Sequence, residues 1–387
     1  MRITVKTLHG LEEILAAEIA EIGGTEIKIL KRAVAFEGDH RLLYRANFEL
    51  RTAMRVLVPI NVFRARNENQ LYQKIRRINW SNYMDLDGTL AIDGVTHGRL
   101  FTHSKYVALK TKDAIVDQWR DKTGKRPNVD TEKPSLRVNV YINEDVVTVS
   151  LDSSGQSLHK RGYRVDVLEA PISEVLAAGM IKLSGWDAQS DLIDPMCGSA
   201  TIPIEAALIA TNTPAGMFKD WFGFETWNDF EPATWKAVQE EALANVRPFE
   251  HQIWGTDESP RAMRIAQLNV EAARMEKHIQ LKRTKFERLE RPFEKGTIIM
   301  NPPYDERLEN VDIKEFYKMI GDQFKAGWQG YTAWLISSNM QALKCIGLRP
   351  SKKIVLFNGA LECKYQKFEM YAGSRKKKYQ NQESVEK

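Results

Sequence analysis

From residue 171 onward, short apolar runs alternate with helical patterns, and this constrains the fold more than any other feature of the 387-residue chain. The apolar runs are 191–194, 252–257, 297–301, 332–337 and 353–357. Helical spacing occupies 172–184, 202–211, 259–275 and 312–326 between them. Short strands joined through helices pair in parallel, because each connection must cross from one end of a strand to the other. The helices then cover both faces of the sheet. Ligands of such sheets lie outside the carboxyl ends of the strands, so the residues just after each run are where chemistry is expected.

The front of the chain is patterned differently. Residues 2–8 alternate as a strand. A helix follows from Gly10, with Leu11, Ile14, Leu15, Ile19 and Ile22 on one face, and Gly23-Gly24 ends it. Strands near 26–30 and 33–37 complete a small α+β module. Beyond it, 42–57 reads as helical at first, 55–63 as a strand and 67–78 as a helix. Strands are expected at 89–93, 136–142 and 146–152, and a helix at roughly 105–122. The polar stretch from Ser153 to Arg164 reads as a connection. The expected domains are therefore 1–55, 56–155, a linker at 156–170, and 171–387.

Charge is uneven along the chain. Residues 1–164 hold 27 Lys+Arg against 20 Asp+Glu, a net +7, within an overall +5. A basic front suits a polyanion, since neutralising phosphates drives sequence-independent affinity. Cys197, Cys345 and Cys363 have neither metal-ligand nor disulfide spacing, so reduced thiols, a cytoplasmic location and no metal are expected. Met1-Arg-Ile-Thr-Val-Lys lacks the apolar run of a secretory signal, and no apolar run reaches the length of a membrane span.

Three strand ends carry chemistry. Asp194-Pro-Met-Cys-Gly198-Ser-Ala-Thr201 is a tight small-residue turn that opens a helix, where a ligand can lie against backbone. Asp257-Glu-Ser-Pro places a carboxylate where it can accept from both hydroxyls of a ribose, although capping the next helix would explain the same residues. Asn301-Pro-Pro-Tyr304 ends an apolar strand with two residues that have no backbone donor. It offers the Asn301 side-chain oxygen and the Pro302 carbonyl as acceptors, and Tyr304 as a flat face. An aryl amine is a poor nucleophile because its lone pair is delocalised. Two acceptors on its N–H groups aim that lone pair at an electrophile and favour the charge developing on nitrogen. A stacked aromatic holds the base.

These three motifs resemble motifs I, II and IV of class I methyltransferases that act on amino groups. In the front, Thr7-Leu-His-Gly-Leu-Glu, Arg51-Thr-Ala-Met-Arg-Val-Leu, Lys112-Asp-Ala-Ile-Val-Asp, Arg126-Pro-Asn-Val-Asp and Ser157-Leu-His-Lys-Arg-Gly-Tyr-Arg are similar to THUMP-containing methyltransferases. The whole is closest to the bacterial large-subunit (23S) ribosomal RNA guanine-N2 methyltransferases, over about residues 1–373. The resemblance implies an α/β fold: a Rossmann-like methyltransferase sheet of seven strands, with only the last strand pair antiparallel, preceded by a ferredoxin-like segment and an RNA-binding THUMP domain. It implies S-adenosylmethionine as cofactor, held by Asp194, Met196, Cys197, Gly198, Ser199, Thr201, Asp257, Phe286 and Asn301. Asn301, Pro302 and Tyr304 would grip and stack the target base. Helix 172–184, after Ala170-Pro171, would close over the methionine end of the cofactor.

Lys105, Lys110, Lys112, Arg120, Lys125, Arg126 and Arg137 are candidate phosphate contacts in the front. Lys160, Arg161 and Arg164 are candidates in the connection. The sequence departs from the family pattern at Ala200, where glycine is usual, and at Lys285-Phe286, where the usual Asp-Phe supplies an acceptor for the adenine amine. Trp221, Phe222, Phe224, Trp227 and Trp235 crowd an insertion between Asp194 and Asp257 and read mostly as core. Transfer RNA as substrate, adenine-N6 methylation of DNA, and a non-catalytic RNA-binding assembly factor are the competing readings.

Overall fold

The computed structural model describes residues 1–166, 168, 171–304 and 312–371. The chain divides into two units, 1–162 with 214–245, and 163–213 with 246–387. Residues 167, 169 and 170 of the expected linker and the basic run from Arg375 lie outside the described residues.

The first unit begins β1 (Arg2–Lys6), α1 (Glu12–Glu21), β2 (Thr25–Leu30), β3 (Ala33–Glu37), α2 (His40–Glu49), β4 (Arg55–Arg64) and α3 (Glu68–Arg76). It continues with β5 (Thr89–His97), α4 (Ser104–Thr123), β6 (Asn128–Val129), β7 (Leu136–Asn143) and β8 (Val146–Asp152). One eight-stranded sheet results, in the order β2-β3-β1-β4-β8-β7-β5-β6. Only the β5–β6 and β5–β7 ladders are parallel. α2 stops at Glu49, short of the helix expected to 57, because the chain is captured from elsewhere. The buried Glu18 carboxylate accepts from the Arg51 and Thr52 backbone N–H groups (3.1 and 3.0 Å) and from the Thr52 hydroxyl (2.8 Å).

The aromatic insertion belongs to this unit rather than to a continuous 171–387 domain. Phe222, Phe224 and Trp235, on and before α7 (Pro232–Ala244), are buried with Tyr44 and Phe48 of α2. Ring centroids are 4.4 Å apart for Tyr44–Phe224 and 5.3 Å for Phe48–Trp235. These rings are core, as their clustering suggested.

The second unit follows the alternation read from the sequence: α5 (Glu174–Ser184), β9 (Leu192–Asp194), α6 (Thr201–Ala210), β10 (Ile253–Asp257), α8 (Pro260–Ala272), β11 (Ile279–Arg283), β12 (Thr297–Met300), α9 (Ile313–Gly327), β13 (Thr332–Ser337), α10 (Met340–Cys345), β14 (Lys352–Asn358) and β15 (Leu361–Glu369). The sheet order is β11-β10-β9-β12-β13-β15-β14. β15 alone runs against the rest. It is antiparallel to both β13 and β14, so two ladders are antiparallel rather than one. α9 packs Tyr317, Ile320 and Phe324 onto Ile298, Met300 and Leu335 of the sheet, which fixes the strand ends beneath the site.

Candidate active site

Asp194, Asp257 and Asn301 follow one another across the sheet because β10, β9 and β12 are neighbours and parallel. Their carboxyl ends open on a cavity of about 610 Å³, lined by residues 194–199, 257–259, 284–287 and 301–304, with Pro171 and Ile172 at one side. That volume is ordinary for a ligand site.

The loop after β9 is built from backbone bonds. Cys197 N–H donates to the Thr256 carbonyl (2.8 Å), and Gly198 N–H donates to Asp257 Oδ2 (3.1 Å). Asp194 is almost fully buried, and its Oδ1 accepts from Met196 N–H (3.1 Å). Burial pushes its carboxyl well above the usual range. The Asp257 carboxyl is also raised, first by burial, although Ser259 and Gly198 N–H groups both donate to it. Its two oxygens therefore already hold the loop and the backbone N–H of Ser259, the residue that caps α8, in addition to lining the cavity.

Ala200 precedes α6 in the left-handed region, at φ 64° and ψ 26°. The departure from glycine is thus a matter of backbone conformation. Ala200 nevertheless opens α6, its carbonyl accepting from Ile204 N–H (2.9 Å).

At the third strand end, the Tyr304 hydroxyl donates to Asn301 Oδ1, the oxygen expected to accept from a target amine. The phenol is pushed far up, first by burial and by the neighbouring Cys363 thiol, with Asn358 hydrogen bonding to it in partial opposition. The two carbonyls after Pro302 are also held. Asn339 N–H donates to Ser337 Oγ (3.0 Å), the Ser337 hydroxyl bonds to Tyr317 (2.7 Å), and Tyr317 donates to the Pro303 carbonyl (3.0 Å). Asn339 Nδ2 donates to the Tyr304 carbonyl (3.0 Å).

Phe286 borders the cavity, yet it is 3% exposed and packs on Phe324 and Trp328. Lys285 turns outward to Glu258 (3.5 Å) and stays largely exposed.

Three expected phosphate contacts are structural. Arg161 is 1% exposed and donates to the carbonyls of Leu158 and Arg51. Arg164 pairs with Glu174 (2.9 Å) and donates to Thr201 Oγ1 (3.1 Å), tying α5 to the start of α6. Arg137 pairs with Asp93 (3.3 Å) and has a side chain only 10% exposed. Lys105, Arg120, Lys125, Arg126 and Lys160 are exposed, and Lys110 and Lys112 are half-buried. Lys112 and Arg120 sit beside Asp113 and Asp117 (2.8 and 3.1 Å), and Lys110 lies over the Tyr72 ring (5.0 Å).

Sequence reasoning missed Asn269, Tyr317 and Asn339. Asn269 Nδ2 donates to the Ser199 carbonyl (3.1 Å) from the last turn of α8, a placement with no local signal. Asn339 did carry one: Ser337-Ser-Asn339 follows the apolar β13, as the other motifs follow their strands.

The description "RMKL-like, methyltransferase domain" matches residues 161–367, the THUMP domain residues 65–152, and the RlmL ferredoxin-like domain residues 2–57. A candidate RNA methyltransferase of Synechocystis sp. is 37% identical over 94% of this chain and 95% of its own length. The ribosomal RNA large subunit methyltransferase K/L of Syntrophotalea carbinolica is 35% identical over 93% of this chain, which spans about half (52%) of that longer protein. A crystal structure of a candidate methyltransferase complexed with S-adenosylhomocysteine matches with a TM-score of 0.85 and 27% identity, over 96% of this chain and 99% of that one.

Proposed function

The chain belongs to the RMKL-like RNA methyltransferases with ferredoxin-like and THUMP front domains, and on that premise we propose that it methylates the exocyclic N2 amine of a guanosine in large-subunit ribosomal RNA. The observation that carries methyl transfer to an amine is the placement of Asp194, Asp257 and Asn301–Tyr304 at three adjacent strand ends on one cavity. The ribosomal RNA is favoured by the K/L relative, and the guanine N2 by the family resemblance of the sequence.

The donor set fits S-adenosylmethionine. A raised, buried Asp194, a backbone-lined turn at Met196, Cys197, Gly198 and Ser199, the N-terminus of α6 at Thr201, and the Asp257 carboxylate supply the polar contacts. Phe286 supplies an apolar wall. The cofactor supplies an electrophilic methyl on a sulfonium. The protein's task is then to orient an amine. The Pro302 carbonyl and Asn301 Oδ1 accept from the two N–H groups, which aims the nitrogen lone pair and favours the positive charge that develops there. Asn301 Oδ1 also accepts from the Tyr304 hydroxyl, which takes one of its two lone pairs and leaves the other for the amine. The Tyr317 and Asn339 bonds keep the turn in place. The exposed front cations contact phosphates, and the chain works in the cytoplasm.

Incubating the purified chain with S-adenosylmethionine and protein-free transcripts of large-subunit ribosomal RNA or transfer RNA tests the reading. Nucleoside mass spectrometry should find N2-methylguanosine in the ribosomal transcript. A methylated adenosine, or transfer of methyl only to transfer RNA, overturns it.

A further inference from the structure

An acceptor pair that grips an amine does not tell which ring bears it, so discrimination has to come from another polar group at the same cavity. β14 and β15 end there in a two-residue hairpin, with Asn358 paired opposite Leu361 across Gly359-Ala360. Gly359 takes φ +63°, the left-handed conformation that the first position of such a tight turn requires and that glycine allows without strain. The turn fixes the height of both side chains. Both line the cavity beside Asn301–Tyr304. Leu361 remains 51% exposed at this border, an apolar side chain with room for a flat partner. Asn358 is half-buried and lines the same cavity as Asn301, Pro302 and Tyr304, which puts its amide at the border of the proposed amine grip.

We propose that Asn358 determines specificity by reading the N1–H and O6 edge of the target guanine, an inference that rests on the guanine-N2 reading above. In guanine, N1–H adjoins the N2 amine and O6 follows it. A side-chain amide matches both, its oxygen accepting from N1–H and its nitrogen donating to O6. Adenine placed by its N6 amine offers N1 as a single acceptor and a C–H beside it, so one half of the amide is left unpaired. An amide half left unpaired in a desolvated site opposes binding of the wrong base.

The test uses the full chain, with the target guanosine mapped on the wild-type product. Transcripts are then assembled with guanosine or 2-aminopurine at that position. 2-Aminopurine keeps the N2 amine and lacks both N1–H and O6. The wild type should prefer guanosine in kcat/KM by roughly ten- to hundredfold. Asn358→Ala should bring that ratio close to one with unchanged S-adenosylmethionine affinity. Asn358→Asp, which keeps the acceptor for N1–H, should retain part of it. A wild-type preference that survives in Asn358→Ala overturns the role of Asn358 while leaving N2-methylation intact. A wild-type product other than N2-methylguanosine overturns both.

Discussion

Ala200 holds a left-handed backbone in the loop after β9 that we propose meets the cofactor, where a Cβ costs about 1–2 kcal/mol. The methyl is fully buried, which returns about 0.8 kcal/mol. Relief of the backbone outweighs it, so Ala200→Gly should stabilise the protein by somewhat under about 1 kcal/mol, read as a higher urea midpoint with unchanged slope. A lower midpoint would show that the loop is not strained there. The sequence displayed the departure from glycine but not its cost, because a turn's φ is not written in residue identity alone.

Tyr304 separates stacking from hydrogen bonding. Its hydroxyl takes one of the two acceptor positions of the Asn301 oxygen that we propose grips the amine. Tyr304→Phe keeps the ring and removes that competing bond, so kcat/KM for RNA should hold or rise a few-fold. Tyr304→Ala removes the stacking face, worth about 1–3 kcal/mol per base, and should lower kcat/KM by roughly ten- to hundredfold. Equal losses in both variants would assign the work to the hydroxyl instead.

At the scale of elements, the parallel sheet was legible because its signal is local: an apolar run, a turn, a helix. β15 was not, since Glu362, Lys364, Gln366 and Lys367 interrupt its apolar residues, and Phe368 falls on the face opposite Cys363 and Tyr365, so no one-face alternation is written. The end of α2 was hidden for a different reason. Glu18 captures Arg51 and Thr52 from 33 and 34 residues away, and no local pattern records that. Sequence separation also hid the brace on the Asn301–Tyr304 turn, which α9 and the residues just after β13 provide together. Tyr317 holds the Pro303 carbonyl and Asn339 holds the Tyr304 carbonyl. Tyr317→Phe leaves the ring in the core and the carbonyl without its donor, a loss of about 1–3 kcal/mol. If that loosens the turn, kcat should fall about tenfold or more while S-adenosylmethionine affinity stays constant. A matched fall in cofactor affinity would mean that α9 acts through the whole sheet edge.

For the whole molecule, the basic excess of the front pointed to a polyanion, yet charge in a sequence does not say which cations face water. Arg161 is buried on the carbonyls of Leu158 and Arg51, and Arg137 is tied to Asp93, so their charges hold the first unit together. Lys105, Lys125 and Arg126 stay exposed. If these three bind phosphates, replacing all of them with alanine should weaken RNA binding and flatten the dependence of log affinity on log salt. The slope should change by about 0.9 for each duplex phosphate that is no longer neutralised. Their removal should leave kcat at saturating RNA unchanged, because none of them lines the proposed catalytic cavity. Arg161→Ala makes the control. It strands two buried carbonyls and should lower stability by about 2 kcal/mol or more, with the salt slope of the folded protein unaltered. A slope that falls for Arg161→Ala and stays put for the surface triple would place the RNA path elsewhere on the first unit.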